Sequence, residues 1–110
     1  MKDKIVITKI INYISDIEYY INDSNYDDFI NDRKTLSACA FSVSQIEELV
    51  GNITDNTINK YNYIPWKSIR GMRNKIVHDY DNIDLSILWN TMKNDLPELK
   101  SQLLELVDEL

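Results

Sequence analysis

The chain has 110 residues, and among them are one cysteine, one histidine, two glycines and two prolines. The lone Cys39 excludes an internal disulfide and a cysteine metal cluster; it suits a reducing compartment and reads as a small buried apolar residue. With only Gly51, Gly71, Pro65 and Pro97 to punctuate the chain, there are few places for tight turns or hairpins, which argues for long helices. No apolar run is long enough to cross a bilayer, and the N-terminal Met1-Lys2-Asp3-Lys4 lacks the apolar core of a signal peptide. The expectation is a soluble, cytoplasmic protein with no membrane partner. Positive charge is also short: 12 Lys and Arg against 18 Asp and Glu give a net charge of −6. That balance disfavours broad, non-specific nucleic-acid binding, which needs a basic face.

Apolar residues make up 44% of the chain, enough for a core. The length fits one small domain, residues 1–110, and a domain of this size commonly gains stability by oligomerising, so a homodimer is expected. The pattern is helical throughout. Ile7, Ile10, Ile14, Ile17 and Ile21 recur at steps of three and four and predict a first helix from about Lys4 to Asn22. Asp23-Ser24-Asn25 offers turn and N-cap chemistry. A second apolar series, Phe29, Leu36, Cys39, Val43, Ile46, Val50 and Ile53, predicts a second long helix that weakens near Gly51. Thr54 to Pro65 reads as a connection with room for a short helical turn, and Pro65 suits the first turn of a third helix, roughly Trp66 to Tyr80. Asp81 to Asp84 breaks it, with Asp84 a candidate N-cap. Leu85, Leu88, Met92, Leu96, Leu99, Leu103, Leu106 and Leu110 then run to the end. Their phase slips near Leu96, which predicts a kink beside Pro97 or two consecutive helices with Asp95 or Leu96 near the second start. Helices with short links make an all-α, up-and-down bundle of four to five helices.

One basic cluster stands out in the acidic chain: Lys67, Arg70, Arg73 and Lys75. It surrounds the stretch Arg73-Asn74-Lys75-Ile76-Val77-His78-Asp79-Tyr80, which holds the only histidine. Arginine and histidine are the minimal pair for metal-free phosphodiester cleavage, one stabilising phosphorane charge and the other moving protons near neutral pH. Ile69, Met72, Ile76 and Tyr80 share one face of the third helix, and Arg73 lies among them. An arginine so placed needs a carboxylate, a phosphate or a protein interface. Glu47 or Glu48 on the neighbouring helix would satisfy it structurally. His78 falls with Gly71 and Asn74 on a small, polar stripe, roughly 140° from Arg73 on an ideal helix. One helix therefore does not aim both side chains at one atom. Unwinding near Tyr80 or a two-fold partner would bring them together, and Gly71 would permit close approach on the histidine side. Structural readings stand beside these: His78 as a helix C-cap, Asn74 as a surface polar residue, and Tyr80 as a half-buried aromatic. Asp16, Asp27, Asp28 and the other acids are scattered, so neither a metal site nor a cofactor is expected.

The segment Ile69 to Tyr80, with its Arg, four residues, His, one residue, Tyr pattern, resembles the signature of the HepT toxin family of the HEPN superfamily. Asp32-Arg33-Lys34-Thr35 with Ala38, Ile46-Glu47-Glu48, Pro65-Trp66, Leu88-Trp89 and Asp95-Leu96-Pro97 resemble family blocks in the same order, so nearly the whole chain is covered. One departure is Ile46-Glu47-Glu48-Leu49, where the family commonly has Ile-Gly-Glu-Ala. The resemblance implies a HEPN-type bundle acting as a metal-independent endoribonuclease, the toxin of a type VII-like toxin–antitoxin module, with its cleft at a homodimer interface. It further implies that Arg73 binds the scissile phosphate of RNA and His78 serves in acid–base transfer, with Asn74, Arg70 and Lys67 supporting RNA binding. The implied partner is an MntA-like minimal nucleotidyltransferase that silences the toxin by AMPylation of Tyr80. The alternative is a non-catalytic helical subunit that serves a nucleotidyltransferase in substrate binding or regulation.

Overall fold

The computed structural model describes residues 2–76 and 85–110, with side chains described as far as Gly71 and again from Leu85. All regular structure among these residues is helical, in the order α1 (Lys2–Ile21), α2 (Tyr26–Ile30), α3 (Arg33–Val50), α4 (Asp55–Lys60), α5 (Trp66–Ile76), α6 (Leu85–Asn90), a π-helical turn (Thr91–Asp95) and α7 (Leu96–Val107). It is an all-α helical bundle. Its core is assembled from the apolar stripes expected from spacing: Ile7, Ile10, Ile14, Ile17 and Ile21 of α1 are buried with Val43 and Ile46 of α3 and Leu99, Leu103 and Leu106 of α7. Helix α1 packs on both α3 and α7, whereas α5 packs along α3.

The second expected helix is two helices. Asp32 interrupts the apolar series as an N-cap, its Oδ1 accepting from the Thr35 backbone N–H at 3.2 Å and its Oδ2 from the Thr35 hydroxyl at 2.7 Å. These bonds from Thr35 hold the Asp32 carboxyl below the usual carboxylate range. The preceding short helix α2 has its own cap, Asn25, whose side chain accepts from Asp28 N–H at 2.8 Å. Between α1 and α2 the chain turns at Asp23, a non-glycine residue at φ 62°.

The connection from Thr54 to Pro65 contains the expected helical turn as α4, and it is tied to both ends of the chain. Asp3, in the first turn of α1, is buried. Its carboxylate accepts from the Thr54 N–H at 3.1 Å, the Thr54 hydroxyl at 2.6 Å and the Thr57 hydroxyl at 2.5 Å. Burial pushes the Asp3 carboxyl up, but these bonds together outweigh it and leave it below its ordinary value. At the other end, the Tyr61 phenol donates to Glu109 Oε2 at 2.8 Å, a bond that raises the phenol above its ordinary value. Trp66 donates its indole N–H to the Tyr61 carbonyl at 3.1 Å, fixing the start of α5. Pro65 stands one residue before that helix, its carbonyl accepting from Ile69 N–H at 3.1 Å.

At the slip near Leu96 a second α-helix begins, α7 starting at Leu96 as one of the two expectations had it, and a π-helical turn joins it to α6. The backbone stays right-handed helical at Asn90 (φ −62°, ψ −41°), Asp95 (φ −76°, ψ −43°) and Leu96 (φ −68°, ψ −39°). Leu96 N–H bonds to the Thr91 carbonyl, five residues back, so one wide turn absorbs the extra residue. Pro97 explains why the turn belongs there. A proline ring clashes with the carbonyl four residues earlier in a regular helix, and a widened preceding turn relieves that contact. Leu88, Met92, Leu96, Leu99, Leu103 and Leu106 all remain buried across it.

Candidate functional site

The sequence directs attention to α5. Its N-terminal half is anchored by Trp66 and Ile69, both buried, while Lys67, Ser68, Arg70 and Gly71 are exposed. Arg70 leans on the end of α3: a Cβ built on Gly51 would lie 3.5 Å from Arg70 Nη2. The last carbonyls of a helix carry partial negative charge, so a guanidinium there is favourably placed. This contact gives Arg70 a structural duty besides the RNA contact expected of it. Lys67 is one turn earlier and exposed. Arg73 and Asn74 belong to the backbone of α5, but their side chains lie outside the described residues, as do His78 and Tyr80 entirely. The expected Asp84 cap also lies outside the described residues.

Beside α5 runs a cleft of about 890 Å³. Tyr63, Pro65, Ser68, Ile69 and Gly71 form one wall, and Ser86, Ile87, Asn90, Thr91, Asp95, Leu96, Glu98, Leu99 and Gln102 form the other. Ser68 and Gly71 are three residues apart and so share a face of α5. Among the described residues, nothing outside the neighbouring turns of the helix lies within 4 Å of a Cβ built on Gly71. Among the described lining residues the charged ones are Asp95 and Glu98, and the exposed apolar ones are Tyr63 and Ile87. The π turn supplies Thr91 and Asp95 to this wall. Nothing in the sequence marked Asn90, Thr91 or Gln102 as cleft residues; Asp95 at least fell within a block resembling the family's.

The two candidate carboxylates on α3 differ. Glu48 is exposed, whereas Glu47 is half-buried, with Oε2 shielded from solvent. Cys39 sits in the core, and burial pushes its thiol up to about 12, so it has no nucleophilic role.

The family described as "Ribonuclease HepT-like" matches residues 10–106. The chain belongs to the HepT-like ribonuclease family. It is 33% identical over 101 residues to a "Putative RNase" of Methanocaldococcus jannaschii, covering 92% of this chain and 84% of that protein. A second "Putative RNase" of the same organism is 32% identical over 107 residues, covering 97% and 92%. A "Probable ribonuclease HepT" of Thermococcus cleftensis is 33% identical over 90 residues, covering 78% of each chain. No solved structure matches the chain. Membership of the HepT-like family classes the chain as a ribonuclease and accounts for the helical bundle. No described helix is long and apolar enough to cross a membrane. Among the described residues no group of three or more His, Cys, Asp or Glu could hold a metal ion.

Proposed function

We propose that this HepT-like protein is a metal-independent RNA endonuclease and the toxin of a toxin–antitoxin module, active as a homodimer. The observation that carries the reading is the family match over residues 10–106, a span within which the spacing of Arg73, His78 and Tyr80 resembles the family signature. In this reading Arg73 binds the scissile phosphate and offsets the charge that develops on it. The ribose 2′-oxygen bonds to phosphorus as the 5′-oxygen leaves. His78 serves the proton transfer, which takes a proton from the first oxygen and returns one to the second. On an ideal helix positions 73 and 78 fall roughly 140° apart, so a two-fold pair of chains is the simplest way to assemble one site. Asn74, Arg70 and Lys67 support RNA binding, and Gly71, lacking a side chain, suits close approach.

Tyr80 is the proposed regulatory residue. A partner nucleotidyltransferase would direct its phenol oxygen onto the α-phosphorus of ATP, releasing pyrophosphate and the phenolic proton and leaving AMP on the protein. Negative charge and bulk beside the cleft then oppose the RNA phosphate. The test is cleavage of RNA by purified, unmodified protein in the presence of chelator. Wild type is expected to cut, and Arg73→Ala and His78→Ala to be inactive and harmless in cells. Equal behaviour of all three would sink the reading. Intact mass after co-expression with the transferase should rise in AMP-sized steps that vanish in Tyr80→Phe.

The second reading, a non-catalytic regulatory subunit, is favoured by the acidic edge of the cleft, where Asp95 and Glu98 lie. It predicts that His78→Ala leaves toxicity unchanged.

A further inference from the structure

Tyr63 lines the cleft with 57% of its surface exposed, and on the other wall Ile87 is 52% exposed. Each wall thus holds one large apolar side chain in water within a single concavity, which points to an occupant with an apolar face.

Tyr63 is braced by its neighbours. Its ring meets that of Tyr61 at 76°, with centroids 6.4 Å apart. Rings so inclined meet edge to face, so at least one face of Tyr63 is left uncovered by Tyr61. Tyr61 itself is fixed: its phenol donates to Glu109 Oε2, its N–H donates to the Thr57 carbonyl at 3.0 Å, and its carbonyl accepts from the Trp66 indole. Tyr63 therefore stands on a tied segment between α4 and α5, where stacking a ligand costs little ordering.

The charges divide around this ring. Lys67 and Arg70 are exposed, and each precedes a cleft residue, Ser68 and Gly71, by one position, so they flank the cleft row of α5. Among the described lining residues the charged ones are Asp95 and Glu98, both exposed. Two carboxylates repel phosphate, but they accept hydrogen bonds, and a π face beside N–H donors is what a nucleobase offers. Backbone phosphate thus suits the flank, and the base suits the cleft.

We propose that the cleft is a nucleobase subsite for single-stranded RNA, with Tyr63 as its stacking platform and the wall of Asp95 and Glu98 favouring bases that carry an amino group. Adenine and cytosine present an amino group where uracil presents a carbonyl oxygen, which a carboxylate repels. The subsite rests on RNA being the ligand, as in the proposed function.

The experiment measures binding of end-labelled 2′-O-methyl hexanucleotides of adenosine, cytidine or uridine by fluorescence anisotropy. Their blocked 2′-oxygen cannot attack phosphorus, so binding is read apart from cleavage. Wild type is expected to bind the adenosine and cytidine oligomers roughly fivefold or more tighter than the uridine one. Tyr63→Ala should weaken all three roughly tenfold, with an unchanged unfolding midpoint, and Tyr63→Phe should bind as wild type. Asp95→Asn with Glu98→Gln should erase the discrimination against uridine, since amides also donate. Unchanged binding by Tyr63→Ala, an equal loss in Tyr63→Phe, or no binding by wild type overturns the platform. An unaltered ratio between the oligomers in the double variant overturns the role of the acidic wall. Cleavage of RNA by wild type with Tyr63→Ala binding normally would fell the subsite and leave the nuclease reading standing. Binding that depends on Tyr63 without any cleavage would do the reverse.

Discussion

Helices α1 and α5 carry opposite assignments in the same bundle. Helix α1 is walled on two sides, by α3 and α7, and its five spaced isoleucines are all buried. Helix α5 packs along α3, opens on its other side to a cleft of about 890 Å³, and exposes Lys67 and Arg70. The difference follows from composition. An unbroken apolar stripe commits a helix to the interior, whereas a helix that mixes Trp66 and Ile69 with cations and Gly71 is held at one edge and left accessible at the other. Stability is thus drawn from α1, and the proposed chemistry from residues in and after α5, so substitutions should separate them.

The largest expected effect touches chemistry alone. His78→Ala should reduce RNA cleavage roughly 10²- to 10⁴-fold, the range for a lost general acid–base group. Its thermal unfolding should stay close to wild type; a large drop in the midpoint would make His78 a structural residue instead. On the walled side the reverse is expected. Leu103, fully buried in α7, should cost about 3 kcal/mol as Leu103→Ala, read by urea unfolding, with activity of the folded fraction retained.

A smaller loss, about 2 kcal/mol, is expected for Asp3→Ala, which leaves Thr54 and Thr57 without their acceptor. Its pH dependence has a definite sign. The folded carboxyl is held below its unfolded value, so its contribution is present above the unfolded value and lost as pH falls through the folded one. Asp3→Asn should therefore flatten the acid limb of stability against pH; an unchanged acid limb would show that Asp3 does not titrate differently on folding. The smallest effect sharpens the contrast most. Gly71→Ala meets nothing within 4 Å among the described residues and removes a helix-interior glycine, so it should raise stability by about 0.5 to 1 kcal/mol. If a partner chain approaches that backbone, the same change lowers cleavage or dimerisation. A variant both more stable and fully active would rule out close approach there.

Local periodicity carried most of the fold. The isoleucine row of α1 and the leucine row of α7 were legible because every member answers to one helical period, and the Asp23–Asn25 turn because its residue types are local signals. The division of α2 from α3 was less visible. Asp32 lies inside an apolar series, and only its spacing to Thr35 marks a cap. The joining of Asp3 to Thr54 and Thr57 left no trace, since residues 51 and 54 positions apart share no local pattern. The candidate site divides likewise. Residue types singled out Arg73, His78 and Tyr80, and helical phase separated the first two. That Arg70 rests on the end of α3, and that Glu47 rather than Glu48 is withdrawn from water, are facts of packing between distant helices.

The π turn sets the rotational timing of the C-terminal third of the molecule. Shortening it by one residue would turn α7 by about 100° relative to α6. Leu99, Leu103 and Leu106 would then leave α1 while Leu88 stayed in place, as in a screw cut with one thread missing. The cleft wall and the core are therefore geared together through a single wide turn, and length is under tighter constraint between Thr91 and Asp95 than residue identity is.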